Sequence, residues 1–346
     1  MTRPFRVALT ADFYTATGDC RYRDIGLDLL GDDQRFKVSR FDEHLPEIAP
    51  HQLAGHDGSI VLAARVTARS LTDADELLAI GRFGVGYDSV DVAACTAADV
   101  LLFITAGAVD HSVAEATVGW MLALTHHIRA KDRLIREARW NDRSAFMGSE
   151  LRDRTLGLVG FGGIGRAVVK LLASFGMKPP LVFDPYASPE AIAASGARAV
   201  ALEELLREAD FVSLHCPLNE STRGLLGVRE LGLMKRSAWL INTARGGIVD
   251  EDALYAALRE QRLAGAAIDC FNSEPLTTSP PLAELDNVLL APHCIAWTDE
   301  LFRDIGRAAC QGMIDLAAGR KPQGVVNPEV LERPGFLRKR AAGRAS

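Results

Sequence analysis

An α/β protein of two Rossmann-like domains, with doubly wound parallel sheets and a site in the cleft between them, is what this sequence predicts. Three observations carry that expectation. Short apolar runs alternate with polar helical stretches over the first hundred residues. Residues 156–184 then read as strand, glycine turn, helix, strand and acid. After them the same βα alternation resumes, and successive apolar strands separated by helices imply a parallel sheet.

In the first region the runs 5–10, 59–64, 77–82 and 100–105 are short apolar strands. Ser112 and Glu115 have capping-box spacing and open a helical run expected to reach about Arg139. Apolar on more than one face, it is expected to be buried between domains or subunits. His126 and His127 within it are expected as packing or contact residues. Beyond the glycine turn, 211–214, 238–243, 266–269 and 288–290 read as strands, with helical runs near 202–208 and 252–259. A final amphipathic helix spans 298–319. The resulting division is a first domain of 1–107, a dinucleotide domain of 108–296, a helical segment of 297–330, and a basic tail of 331–346 expected to be solvated.

Composition narrows the function. The chain has 346 residues, 48% hydrophobic and 24% charged, and a net charge of −6. That charge gives no reason to expect nucleic acid or an anionic membrane as partner. Six cysteines are scattered without CxxC spacing, so reduced thiols, no disulfides and no metal site are expected. The opening residues lack signal-peptide form, and no apolar stretch is long enough to span a bilayer. A cytoplasmic location is the expectation.

The segment LGLVGFGGIGRAVVKLLASFGMKPPLVFD, 156–184, carries the most chemistry. Gly160 permits a tight turn, Gly162 lets the backbone approach a pyrophosphate, and Gly165 allows the helix to pack closely on the strand. The helix N-terminus offers unpaired N–H groups to phosphates. Asp184, nineteen residues after Gly165, stands where a carboxylate can accept from the adenosine ribose. Three more segments follow predicted strands, where open α/β sheets bind ligands. INTARGG places Arg245 there, AAIDCFNSEP places Asp269 and Glu274, and LLAPHCIAW places His293. Hydride transfer at a 2-hydroxy or 2-oxo acid needs a cation for the carboxylate and an acid/base for the hydroxyl proton. Arginine supplies the first, histidine the second, and a glutamate behind the histidine orients it and favours its protonated form.

Together with FGVGYDSVDVAA, SVAEATVGWMLAL and LHCPLNESTRGL, these segments resemble the D-isomer-specific 2-hydroxyacid dehydrogenase family, in family order over about two-thirds of the chain. The resemblance implies Arg245, Glu274 and His293 as the catalytic set. It implies NAD contacts from Thr117, Gly160, Gly162, Ile164, Gly165, Asp184, the segment His215, Cys216 and Pro217, Thr222, Thr243, Ala244, Arg245, Asp269 and His293. Backbone donors of the Gly84–Gly86 turn, chiefly at Val85 and Gly86, would join Arg245 and His293 around the substrate carboxylate. It also implies that 297–330 returns to complete the first domain, and a homodimer built around the helix near 112–139.

Departures from the family pattern are small. Ser89 stands where asparagine is more usual, and Pro179-Pro180 precedes a strand, where proline is tolerated. No regulatory domain follows the last helix, which disfavours the long, allosteric phosphoglycerate dehydrogenases. Glu274, where formate dehydrogenases carry glutamine, disfavours that specialisation. Alternatives left open are a nucleotide-sensing, corepressor-like interaction protein on the same fold and a phosphite-type dehydrogenase. Arg65 is expected to be solvated rather than bound to a substrate anion, while Trp297 either lines the pocket or packs between domains.

Overall fold

The computed structural model describes residues 3–345. Two parallel sheets organise the chain. The first contains β1 (Phe5–Leu9), β2 (Phe36–Arg40), β3 (Gly58–Val61), β4 (Ala79–Arg82) and β5 (Leu101–Ile104), in the order β2-β1-β3-β4-β5. The second contains β6 (Leu156–Val159), β7 (Leu181–Phe183), β8 (Arg198–Ala199), β9 (Phe211–Leu214), β10 (Trp239–Asn242), β11 (Gly265–Ile268) and β12 (Val288–Leu290). Its order is β12-β11-β10-β9-β6-β7-β8, so the winding reverses between β6 and β9. Open α/β sheets bind ligands at such a reversal, outside the carboxyl ends of the strands.

The chain divides into two compact units. One is the chain up to Val109 together with everything from Trp297 onward, and the other is Asp110–Ala296. In the first, Ala8, Val61, Leu77, Ile80 and Leu102 lie in one apolar core. The helix Asp299–Ala317 closes another face of the sheet. A Cβ placed on Gly58 of β3 would lie only 2.6 Å from Met313 Sδ. In the second unit every residue of β6, β9 and β11 is buried. That is why these strands read as continuous apolar runs rather than alternating ones.

Two expectations are corrected here. The long helix begins at Asp110, so Ser112 is not its cap, and it is two helices, Asp110–Thr125 and Ile128–Arg136. The break falls at His127, whose φ of 51° lies in the left-handed region. Its first half packs Ala114, Val118, Met121 and Leu124 into one core with Val168 and Leu172 of the helix Gly163–Leu172. The basic tail is also not a solvated coil, because Pro334–Ala345 is helical. Phe336 is fully buried, which contributes roughly 1.5–3 kcal/mol. The Lys339 amine donates to the carbonyls of Ala74, Leu77 and Ala98 at 2.8–3.3 Å, and Arg333 pairs with Asp99. Charge density alone hid this amphipathic face.

Candidate active site

The turn leaving β6 sets the first half of the site. Gly160 has a φ of 96°, and a Cβ there would lie 2.7 Å from the backbone of His215 and Cys216, which follow β9. A Cβ on Gly165 would lie 2.8 Å from the Gly160 carbonyl, so the helix presses directly on the turn. Beside Gly162, the N-cap of that helix, a Cβ would meet nothing within 4 Å. Free amides at a helix N-terminus facing open space form a cradle that suits a pyrophosphate. Asp184 closes the far side. One of its carboxylate oxygens accepts from the Phe161 amide at 2.7 Å, the other from Tyr186 and Ala187 at 2.8 and 3.2 Å. The carboxylate is therefore fixed relative to the turn and keeps lone pairs for a ribose hydroxyl.

His215 is held neutral. Burial pushes its imidazole down to about 4, and its Nε2 meets Ser213 Oγ at 2.9 Å while Nδ1 has no protein partner. Unfolding restores the ordinary value of 6.5, so the unfolded chain binds this proton more readily. The ring's stabilising contribution is complete above pH 6.5 and is lost as pH falls toward 4. About 3 kcal/mol of stability should disappear across that window. Urea unfolding of wild type and His215→Gln at both ends checks this, since the variant should lack that part of the slope.

The second half comes from adjacent strand ends. After β10, Asn242 braces the turn, its Nδ2 donating to the Arg245 carbonyl at 2.8 Å and its Oδ1 accepting from the Ala244 amide at 3.0 Å. Thr243 Oγ1 lies 3.4 Å from Thr117 Oγ1. After β11, the carbonyl of Asp269 accepts from the His293 amide at 2.8 Å. Its carboxylate, pushed up by burial, accepts from the amides of Cys294 and Ile295. These bonds hold His293 at a φ of 53°, a conformation costly for a non-glycine residue unless its surroundings enforce it. Nδ1 of His293 donates to Oε2 of Glu274 at 2.7 Å, and Oε1 of Glu274 accepts from the Phe271 amide at 2.8 Å.

Burial alone would raise Glu274. The hydrogen bonds from His293 and Phe271, with the charge of Arg245 nearby, outweigh it and hold the carboxyl below its ordinary range. An ionised carboxylate can only accept, so Nδ1 carries the proton and Nε2 is the atom left for a substrate oxygen. The Arg245 charge, an oriented imidazole and its carboxylate thus lie together at the ends of β10, β11 and β12.

The remaining expected positions are less engaged. Thr222 is half-buried, and its hydroxyl donates to the Pro217 carbonyl at 2.6 Å. Ile164 is half-buried behind the turn. In the other unit, Val85 and Gly86 follow Gly84, which exchanges hydrogen bonds with Thr105. Arg65 is largely exposed and pairs with Glu47 at 3.3 Å. Trp297 packs edge-on against Tyr22 and Phe302.

Sequence reasoning missed Asp110. Its carboxylate fills the space a side chain on Gly163 would need, and burial pushes its carboxyl up. The one visible signal was an acid just ahead of the capping-box pattern. It missed Glu251 as well, whose Oε1 accepts from the Asn272 amide at 2.6 Å beside the Glu274 loop.

A phosphate cradle at the β6–β9 reversal and a histidine–carboxylate pair at neighbouring strand ends are what a nicotinamide-dependent α/β oxidoreductase needs. Residues 118–294 match the NAD binding domain of the D-isomer specific 2-hydroxyacid dehydrogenases. The rat D-3-phosphoglycerate dehydrogenase is 38% identical over 281 residues, covering 81% of this chain and 52% of that one. The glyoxylate reductase of Korarchaeum cryptofilum is 36% identical over 281 residues, 80% of this chain and 84% of that one. A solved structure from Thermus thermophilus superposes with a TM-score of 0.80 at 31% identity, covering 93% of this chain and 100% of that one. The NAD-complexed D-isomer specific 2-hydroxyacid dehydrogenase of Lactobacillus delbrueckii gives 0.74 at 25%, with the same coverage. This chain belongs to the D-isomer specific 2-hydroxyacid dehydrogenase family, and NAD is its cofactor. It spans about half the length of the D-3-phosphoglycerate dehydrogenases it matches. Among the described residues no helix is long and apolar enough to cross a membrane.

Proposed function

We propose that this chain interconverts a D-2-hydroxyacid and its 2-oxoacid, with Arg245, Glu274 and His293 as the reacting set. The observation that carries the reading is the 2.7 Å bond between His293 Nδ1 and Glu274 Oε2, with the Arg245 charge beside it. NAD(H), when bound, supplies or accepts the hydride. Arg245 grips the substrate carboxylate. His293 gives a proton to the forming alkoxide in reduction and removes it from the hydroxyl in oxidation. Glu274 stabilises the charged imidazole. Thr117, Thr222, Thr243 and the His215–Pro217 segment complete the cofactor contacts.

Screening NADH oxidation against a panel of 2-oxoacids tests the reading. Glyoxylate belongs in it, as does D-3-phosphoglycerate in the oxidative direction, given the relatives' activities. Turnover at ordinary enzyme rates is expected with at least one member. None with any, despite NADH binding, would favour a nucleotide-sensing interaction protein.

Asp184 should make NAD preferred over NADP. Its carboxylate suits ribose hydroxyls and repels a 2′-phosphate, and neither Pro185 nor Tyr186 supplies a cation. Efficiency measured with both cofactors should differ by at least about a hundredfold, the equivalent of roughly 2.7 kcal/mol. Comparable values would mean that Asp184 does not face the adenosine.

We also propose a homodimer through the segment after Thr125. Ile128, Ile135 and Trp140 are 53%, 61% and 63% exposed there, more than isolated surface residues require. Ile135→Asp should shift the protein to monomer in sedimentation experiments.

A further inference from the structure

Cys270 follows Asp269 at the end of β11 and has no role in the reaction described above. A ring nitrogen of His293, a carboxylate oxygen of Glu274 and the Sγ of Cys270 all lie within 4.8 Å of one another. Thiolate, imidazole and carboxylate are the donors that zinc selects, and three protein ligands plus water make a familiar open site. We propose that these three side chains form a site for a thiophilic divalent cation, zinc first among them, and that filling it switches the acid/base pair off.

The geometry requires little movement. Zinc bonds are about 2.3 Å to sulfur and about 2.0–2.2 Å to nitrogen and oxygen, so tetrahedral donors sit roughly 3.3–3.7 Å apart. From a spacing of at most 4.8 Å the sulfur closes on its partners by roughly 1.5 Å at most, while Nδ1 and Oε2, now 2.7 Å apart, open by about 0.7 Å. Cys270 is the fixed member, 1% exposed, with its thiol directed to the Ala244 carbonyl at 3.5 Å. Glu274 and His293 are the movable ones, with side chains 34% and 43% exposed. An isolated buried cysteine would be a small apolar residue. This one has two further donors already facing each other beside it. Magnesium, which favours an octahedron of oxygens, does not suit the set.

Binding exchanges cation for protons, and no electrons move. The thiol releases its proton to solvent as sulfur takes the metal. The metal also takes the Nδ1 lone pair, so a neutral imidazole shifts its proton to Nε2 and a charged one releases its Nδ1 proton. Affinity therefore rises with pH. His293 then lacks the Glu274 bond that orients it and can no longer cycle a proton. The binding stands on the three donors alone, whereas its effect on turnover rests on the dehydrogenase reading.

Cobalt(II) tests binding without any activity, because cobalt–thiolate bonds absorb in the near ultraviolet. The full-length wild-type chain, titrated with cobalt, should develop this band to one equivalent and lose it when zinc is added. Cys270→Ala should lack the band and bind zinc at least about tenfold more weakly against a chromophoric chelator. His293→Asn keeps the thiol and alters an accessible side chain, so it should weaken zinc similarly even if Cys270→Ala folds poorly. Zinc should inhibit wild type reversibly and leave the activity of Cys270→Ala untouched. An undiminished band in Cys270→Ala, or unchanged zinc affinity in both variants, overturns the site. Binding as described in a protein that turns over no 2-oxoacid overturns the dehydrogenase reading and leaves the site standing.

Discussion

Arg245→Lys should lose about 2–4 kcal/mol of transition-state stabilisation, seen as a fall in kcat/KM of roughly thirty- to a thousandfold. Lysine keeps the charge but not the planar fork that grips both carboxylate oxygens. The backbone at this position is braced by Asn242, so the substitution changes the head group and not the turn. Cofactor affinity should change little, because the cradle at Gly160–Gly165 is built from other residues. A lysine variant of near-normal efficiency would remove Arg245 from the role of clamp.

His293→Asn should cost more in kcat, about 10²–10⁴-fold, the range of a single positioned acid/base. Asparagine keeps the left-handed backbone tolerable, so the loop anchored by Asp269 should survive. Glu274→Gln is the more informative partner. It preserves shape but replaces the carboxylate that accepts from Nδ1 of His293, so kcat for reduction should fall while NADH affinity holds. Glu274 lies below its ordinary range in the wild type, so the carboxylate is present throughout neutral pH. An unchanged kcat would mean that Glu274 does not serve His293 in the reaction.

Much of this was legible in the residues, for a physical reason. The strands β6 and β9 stand where their apolar runs stand, because a parallel strand covered on both faces cannot carry charge, and the edge strand β12 was legible from its short apolar run Val288–Leu290. The glycine positions were legible because backbone contact excludes a side chain at Gly160 and Gly165. The edge strands β2 and β8 were not. β2 mixes Lys37 and Arg40 with Phe36, and β8 is two exposed residues, so neither has an apolar signature. The break at His127 was hidden because both flanking segments favour helix. The helix Pro334–Ala345 was hidden because Lys339 buries its amine against carbonyls that only the fold supplies. The juxtaposition of Cys270 with His293, separated by a strand and two loops, follows from the alignment of β11 and β12.

One measurement bears most directly on the central claim. Enzyme loaded with one equivalent of NADH is mixed with the best 2-oxoacid of the panel that carries a side chain, so that its product is chiral, and the product is resolved on a chiral column. The expected result is one equivalent of the D-2-hydroxyacid formed as NADH is consumed, with His293→Asn binding NADH equally well yet forming product at least about a hundredfold more slowly. Racemic or L-product, or an unimpaired His293→Asn, would contradict the assignment of the reaction to this site.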